Sequence, residues 1–124
     1  MARVEAQNPQ MSDAGVTYTA PILSGQAWQQ AADCLRVLAH PVRLQMVQFL
    51  LQGKFTVGEV AAHCQIAPSM ASEHLRLMQR CGFLDSVRES RRVFYHVVEP
   101  QLANIMRCIE SKFDDSSQPA AVNN

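Results

Sequence analysis

The residues between Ile66 and Arg80 combine side chains suited to contact with the phosphates and base edges of DNA. Placed on a helix at about 100° per residue, the hydroxyl and arginine side chains fall on one side and the apolar ones on the other. The polar side, which includes only one acid, carries Ser69, Ser72, Glu73, Arg76, Gln79 and Arg80. Short hydroxyls let a helix approach a surface closely, and arginine binds phosphate oxygens and guanine edges. The same pattern also describes a half-buried helix with a solvated polar face, so the neighbouring elements decide between the two interpretations.

Apolar spacing in the rest of the chain predicts the elements that would position this stretch. Helices are predicted over residues 24–39, 41–52, 57–64 and 100–113, where apolar side chains recur at helical intervals. The helix over 57–64 connects to the stretch at 66–80 through about three residues, which is the arrangement of a helix-turn-helix.

A β-hairpin is predicted directly after this second helix of the motif. Alternating residues predict strands over Phe83–Arg88 and Val93–Val98, with a polar turn between them that carries Arg88, Arg91 and Arg92. In a winged helix-turn-helix, the second helix enters the major groove and the hairpin, or wing, reaches neighbouring phosphates or the minor groove. The order of elements therefore predicts a mainly α winged helix-turn-helix fold with a small β-hairpin, made of five helices plus the wing.

The composition fits a single domain with a locally basic surface. The chain has 124 residues, of which 48% are hydrophobic, and a formal net charge of zero. Residues 68–96 contain five arginines and three acids, a net charge of +2, so the positive part coincides with the predicted helix and wing. We predict a flexible N-terminal segment over 1–23, a domain over 24–115 and a disordered tail over 116–124.

The apolar segments are too short for a membrane protein. No run approaches the ~20 residues that a membrane-spanning helix needs, and the N-terminus lacks the apolar core of a signal peptide. We therefore expect a cytoplasmic protein with reduced thiols and no membrane partner.

Four stretches together resemble the ArsR/SmtB family of small bacterial transcriptional repressors. They are LRVLAHPVRLQMVQFL (35–50), FTVGEVAAHC (55–64), APSMASEHLRLMQRCGFL (67–84) and SRRVFYHV (90–97). The resemblance implies a homodimer through the first and last helices. It also implies two recognition helices on a palindromic double-stranded DNA operator, which is released when an inducer binds.

The resemblance further implies which side chains meet DNA and which meet the second subunit. On the recognition helix and wing, the implied DNA-contacting residues are Ser69, Ser72, His74, Arg76, Arg80, Arg88, Arg91 and Arg92. The implied dimer interface takes its residues from the apolar stripes of the first and last helices: Trp28, Leu35, Leu102, Ile105, Met106, Ile109 and Phe113. By itself, the stripe on the last helix requires only that it cover the domain or a second copy of it.

Three positions have a structural interpretation beside the functional one. His74 lies near the apolar arc of its helix, so packing or a hydrogen bond to backbone competes with DNA contact. Arg80, at the helix end, favours the negative end of the helix dipole whether or not DNA is bound. Ala67 stands where the family usually has a capping hydroxyl, which removes a helix cap worth on the order of 1 kcal/mol.

Neither familiar metal site of the family is present. One site uses a Cys-x-Cys pair, at which this chain has Thr56 and Gly58. The other uses Asp-x-His and His-x-x-His pairs, at which it has Glu99, Gln101, Lys112 and Asp115. Lysine is a poor ligand and the imidazoles that zinc prefers are missing. We therefore predict no cofactor.

One soft-metal option remains open. A thiolate and imidazole set of His63, Cys64 and Cys81 suits zinc, copper(I) or arsenite. However, adjacent ligands on a helix point about 100° apart, which works against His63 and Cys64 sharing one ion.

The remaining cysteine pair permits a redox interpretation. Cys34 and Cys108 lie on the first and last helices at the edges of their apolar stripes, where two thiols pair on oxidation or bind a soft metal between subunits. Some family members sense sulfide or oxidants through cysteine pairs, but the second-helix cysteine of such a pair falls on Gln48 here. The simpler alternative is that all four cysteines are small, buried and unreactive.

Two other functional classes compete with a DNA-binding repressor. A winged-helix domain can serve protein–protein contact without an operator, and the zero net charge permits this. An enzyme has no support, because the sequence contains no Gly-rich phosphate loop, GxSxG, HExxH or supported carboxylate pair. The prediction is therefore a sequence-specific DNA-binding transcriptional regulator, a dimeric repressor and not an enzyme.

Overall fold

The computed structural model of the protein describes residues 10–12 and 15–114, and the chain forms two units, residues 1–33 and 34–124. In the first unit, β1 (Gln10–Ser12) pairs antiparallel with β2 (Gly15–Thr17). The sequence predicts no regular structure there, because strands of three residues are too short for a periodic pattern. The helix α1 (Gly25–Leu38) also begins in this unit, and the Ser24 hydroxyl accepts a hydrogen bond from the Ala27 N–H at 3.1 Å.

The second unit is a winged helix-turn-helix. After the end of α1, its elements in chain order are α2 (Pro41–Leu50), β3 (Phe55–Thr56), α3 (Val57–Cys64), α4 (Pro68–Arg80), β4 (Leu84–Glu89), β5 (Arg92–Val97) and α5 (Gln101–Phe113). The three strands form an antiparallel sheet in the order β3-β5-β4. The predicted fold of five helices plus a wing is confirmed, and the predicted element ends differ by one or two residues.

The helix starts follow from local hydrogen bonding. At the start of α2, the extended residue His40 accepts a hydrogen bond at Nδ1 from the Val42 N–H at 3.1 Å, and Pro41 occupies the first turn. The helix α3 begins with a capping box, in which the Thr56 hydroxyl accepts from the Glu59 N–H and the Glu59 carboxylate from the Thr56 N–H. In contrast, α4 begins at Ala67 without any side-chain cap.

The core of the second unit lies between the helices and the inner face of the sheet. Tyr95 is buried there, and Val93 and Val97 pack against the same core, which confirms the predicted alternation along β5. The central helices α2 and α4 each contribute three buried side chains: Met46, Val47 and Leu50, and Ala71, Leu75 and Met78.

The last helix divides its apolar residues between the core and the surface. Leu102 and Met106 are 1% and 5% exposed, so they belong to the core of their own protomer and not to the dimer interface predicted for them. Ile109 packs partly against the same core. Because consecutive apolar positions of a helical stripe spread over a wide arc, one edge of the stripe faces inward and the other outward.

Large apolar side chains of α1 and α5 are exposed to solvent. Leu35 on α1 is 60% exposed, and Ile105 and Phe113 on α5 are 38% and 67% exposed. Trp28, on the part of α1 that lies in the first unit, is exposed as well. Within the described residues, none of the helices has the length and apolar character that crossing a bilayer requires.

Candidate nucleic-acid interface

The polar face of α4 points away from the core. Ala71, Leu75 and Met78 are fully buried on the opposite side of the helix. Ser69, Arg76 and Arg80 are exposed and Ser72 is half-buried. The Arg76 guanidinium donates a hydrogen bond to the Ser72 hydroxyl, one helical turn earlier, at 2.5 Å. The predicted hydroxyl and arginine side chains therefore share one accessible surface.

His74 lies at the contact between α2 and α4. Its ring is half-buried, its Nδ1 accepts a hydrogen bond from the Arg43 Nε at 3.0 Å, and its centroid lies 4.9 Å from that of His40. Burial lowers the pKa of His74, the positive charge of Arg43 and the ring of His40 lower it further, and Glu73 opposes them. His74 is therefore part of the packing between α2 and α4, and its contact with DNA stays a prediction.

Arg43 extends the basic surface beyond α4, and the sequence analysis does not single it out. Its Nη1 donates to the Val37 carbonyl at 2.9 Å while its Nε donates to His74, so the guanidinium is held in place. It lines a cavity of about 390 Å³ together with Glu73, His74, Arg76, Leu77 and Arg80. Three guanidinium groups around one shallow cavity suit an anion such as a backbone phosphate.

The wing carries its arginines at an exposed tip. Arg88, Arg91 and Arg92 are all exposed, and the tip is a tight turn in which Ser90 adopts a left-handed φ of +59°. Glu89 and Arg92 are paired directly across this turn, so the loop is shorter than the gap between the two predicted strands. The tip therefore presents positive charge on a short, well-defined turn.

The wing is tied to the rest of the domain at two places, one near its tip and one at its base. The Lys54 ammonium pairs with the Glu89 carboxylate, and it lies 5.5 Å from the centre of the Phe94 ring. The Gln79 amide on α4 donates to the Asp85 carboxylate and the Ser86 hydroxyl on β4 at 3.3 and 3.4 Å. These contacts fix the direction of the wing relative to α4.

The cysteine and histidine candidates for a metal site do not come together. His63 stacks on Phe49 with centroids 4.1 Å apart, and Cys64 is buried, which raises the pKa of its thiol. Among the described residues, no group of three or more histidine, cysteine or acidic side chains is arranged to hold a metal ion. The described residues therefore give no support to the soft-metal alternative at His63, Cys64 and Cys81.

The two redox candidates differ in their exposure. Cys108 is exposed on α5, whereas Cys34 on α1 is half-buried. At the position where the thiol-sensing pair would have its second-helix cysteine, the Gln48 amide donates to the Glu110 carboxylate at 2.8 Å. Pairing of Cys34 with Cys108 between subunits stays a prediction.

Comparison with known proteins agrees with this geometry. A family model described as "Bacterial regulatory protein, arsR family" matches residues 40–86. The chain is 33% identical over 84 residues to the "Biofilm growth-associated repressor" of Agrobacterium fabrum, which covers 68% of this chain and 72% of the relative.

Solved structures have the same fold. The crystal structure of the transcriptional repressor BigR from Xylella fastidiosa superposes with a TM-score of 0.64 at 28% identity, covering 71% of this chain and 90% of that one. A homodimeric winged helix-turn-helix DNA-binding domain from Mycobacterium bovis, a possible ArsR-family regulator, gives a TM-score of 0.65 at 22% identity, covering 86% of this chain and the whole of that fragment. The resemblance found in the sequence motifs is confirmed, and the chain belongs to the arsR family of bacterial regulatory proteins, which are transcriptional regulators and not enzymes.

Proposed function

We propose that this protein is a cytoplasmic transcriptional repressor that binds a palindromic DNA operator as a homodimer and releases it when an inducer binds. The observation that carries the proposal is the outward face of α4, with Ser69, Ser72, Arg76 and Arg80 held clear of the core by a buried apolar underside. In this role α4 occupies the major groove and reads base edges. The relatives that are named as repressors support repression, and not activation, as the mode of regulation.

The wing and Arg43 supply the contacts that position α4. Arg88, Arg91 and Arg92 at the wing tip reach the DNA backbone or the minor groove beside the site. Arg43, at the start of α2, neutralises a phosphate next to the recognition helix. Such contacts fix the register of the protein on DNA and make its affinity depend on salt.

Dimerisation follows from the apolar surface that one protomer leaves exposed. Leu35, Ile105 and Phe113 suit a second copy of the chain, and the relative from Mycobacterium bovis is described as homodimeric. A two-fold dimer places two recognition helices about one turn of DNA, roughly 34 Å, apart. This spacing requires an operator with two inverted half-sites.

The first test is direct binding to duplexes selected from a random pool. We expect the affinity for the selected duplex to fall steeply with salt, since each phosphate contact releases a counterion. Arg76→Ala should weaken binding by about 1–3 kcal/mol and relax sequence preference at one position of each half-site. Fluorescence anisotropy at several salt concentrations measures both effects.

Arg107→Ala is the matched control. Arg107 is an exposed arginine on α5 that hydrogen-bonds Asn104, so its removal deletes the same charge from a different helix. We expect it to bind the duplex like the unmodified protein. If no duplex is enriched, or if Arg76→Ala and Arg107→Ala behave alike, α4 does not read DNA. The alternative of a winged-helix module for protein–protein contact then takes its place.

A further inference from the structure

A cavity of about 480 Å³ lies where α2 ends, β5 ends and α5 begins. It shares no residue with the cavity around Arg43 and His74 or with the arginines of the wing tip. Its lining is mostly apolar and includes Leu50, Leu51, Val97, Val98 and Ala103. Its size falls within the roughly 300–1,000 Å³ that is typical of small-molecule sites, so it can hold a ligand with an aromatic ring system.

The ring of His96, which lines this cavity, has no hydrogen-bond partner among the described residues. The side chain is half-buried, and its Nδ1 is fully enclosed by protein. A neutral imidazole carries its proton on one nitrogen, and an N–H that is buried without an acceptor is unfavourable. The proton therefore belongs on Nε2, in the accessible part of the ring, where it can be donated to a ligand.

Glu99 provides a hydrogen-bond acceptor in the same lining. Its carboxylate is half-buried and accepts a hydrogen bond at Oε2 from the Gln101 N–H at 3.1 Å, which orients it at the start of α5. A carboxylate has further lone pairs, so it can also accept from a ligand. A single hydroxyl group can accept from the His96 Nε2–H and donate to Glu99. The carboxylate disfavours an anionic ligand by charge repulsion, and the Nε2–H has nothing to accept from an organic cation.

We propose that this cavity binds a small phenol, with the ring against the apolar lining and the hydroxyl between His96 and Glu99, and that the phenol is the inducer. A phenolic hydroxyl is more acidic than an aliphatic one and donates more strongly to a carboxylate. Its aromatic ring also gains from leaving water for apolar walls. The role as inducer rests on the proposed function, whereas binding of the phenol does not.

Backbone hydrogen bonds connect the cavity to the recognition helix. The N–H groups of Val98 and Glu99 both donate to the Phe83 carbonyl, at 3.0 and 3.4 Å. The Phe83 N–H in turn donates to the carbonyl of Met78 on α4, at 3.0 Å. A ligand that engages Glu99 therefore acts on the segment that holds the C-terminal end of α4. Because Ala103 also lines the cavity, the same ligand contacts α5, whose exposed apolar residues we assign to the dimer.

The binding test titrates the full chain with 2-naphthol by isothermal titration calorimetry. We expect saturable binding with one site per chain. Naphthalene, which lacks the hydroxyl, 2-naphthoate, which is anionic, and 2-naphthylmethylammonium, which is cationic, should each bind at least tenfold more weakly. If 2-naphthol does not saturate the protein, or if any of the three binds as tightly, the assignment to a phenol is overturned.

Variants locate the bound 2-naphthol. His96→Phe keeps a ring but removes the donor, and Ala103→Leu fills part of the cavity while both polar groups remain, so each should raise the Kd for 2-naphthol at least tenfold. His63→Phe is the matched control, since it makes the same change at an exposed histidine outside the cavity and should leave this Kd unchanged. If His96→Phe and Ala103→Leu both bind 2-naphthol like His63→Phe, the ligand lies elsewhere. Either variant decides this where the other fails to fold.

The functional test measures affinity for a duplex selected with the ligand-free protein, with and without saturating 2-naphthol. We expect 2-naphthol to raise the Kd for this duplex by about fivefold or more in the unmodified protein and in His63→Phe, but not in His96→Phe. Binding of 2-naphthol with an unchanged Kd for the duplex would refute the role as inducer. If the ligand-free protein enriches no duplex, the proposed function fails, while the titration still decides whether the cavity binds a phenol.

Discussion

At the scale of single residues, the hydrogen bond that His74 accepts from Arg43 requires the His74 ring to be neutral. Its Nδ1 accepts a hydrogen bond from Arg43, and the nearby His40 accepts one at its own Nδ1 from the Val42 N–H. An Nδ1 that accepts is unprotonated, so charging His74 breaks its bond to Arg43 and puts two positive charges in contact. Burial lowers the pKa of His74, and the adjacent positive charge of Arg43 lowers it further.

The consequence is a loss of stability in mild acid. A histidine whose pKa is lower in the folded than in the unfolded state contributes stability that is complete above its ordinary pKa of 6.5. This contribution decreases as the pH falls from 6.5 to the folded-state pKa, because only the unfolded chain takes up the proton there. We expect the midpoint of urea unfolding to decrease from pH 7.5 to pH 5.5.

His74→Gln tests this assignment. The glutamine amide oxygen can still accept from Arg43 but does not titrate in this range. The variant should therefore remain folded at pH 7.5 and lose less stability than the unmodified protein on going to pH 5.5. Equal losses for the two proteins would show that other groups control the acid response.

At the scale of elements, the two helices of the helix-turn-helix start differently. The helix α3 has the reciprocal hydrogen bonds between Thr56 and Glu59, whereas α4 starts at Ala67, with extended backbone angles of −66° and 143° and no side-chain cap. The backbone of Ala67 is thus already in the conformation of a capping residue, and only the hydroxyl is missing.

Ala67→Ser should restore the cap and stabilise the domain by about 1 kcal/mol. For a domain of this size, that corresponds to a rise in Tm of roughly 4–8 °C. Thr56→Ala is the complementary variant, since it removes the cap of α3 and should lower the Tm by a similar amount. Thermal unfolding followed by circular dichroism measures both, and an unchanged Tm for Ala67→Ser would contradict the assignment.

Helices and strands could be predicted from the sequence wherever the signals for them are local. Apolar spacing located α2 and α4, and the missing cap at Ala67 is a property of one position. The contact of Arg43 with His74 joins residues 31 positions apart, and it leaves no periodic trace in the sequence. Leu102 and Met106 were predicted to lie in the dimer interface and not in the core, because periodicity identifies an apolar stripe but not what covers it.

At the scale of the whole molecule, the exposed apolar side chains Leu35, Ile105 and Phe113 form the surface at which we propose that two copies of the chain pair. Phe113 is the sharpest probe, because Ile109 packs partly on its own core and its substitution would also disturb the fold. Phe113→Asp should give monomers at micromolar concentration that bind the operator weakly, since two half-sites require two linked recognition helices.

Sedimentation velocity measures this change in assembly. Ser111→Asp adds the same charge to an exposed polar position of α5 and should leave the dimer intact. If the unmodified protein already sediments as a monomer at this concentration, or if the two variants behave alike, the exposed edge of α5 is not the interface.

One residue of β3 joins the wing to the helix-turn-helix. Thr56 pairs with Phe94 in the sheet and, in the same position, caps α3 through Glu59. The wing and the helices α3 and α4 therefore have a fixed relative orientation before DNA binds. Binding to DNA therefore costs little backbone entropy in these parts, which favours affinity.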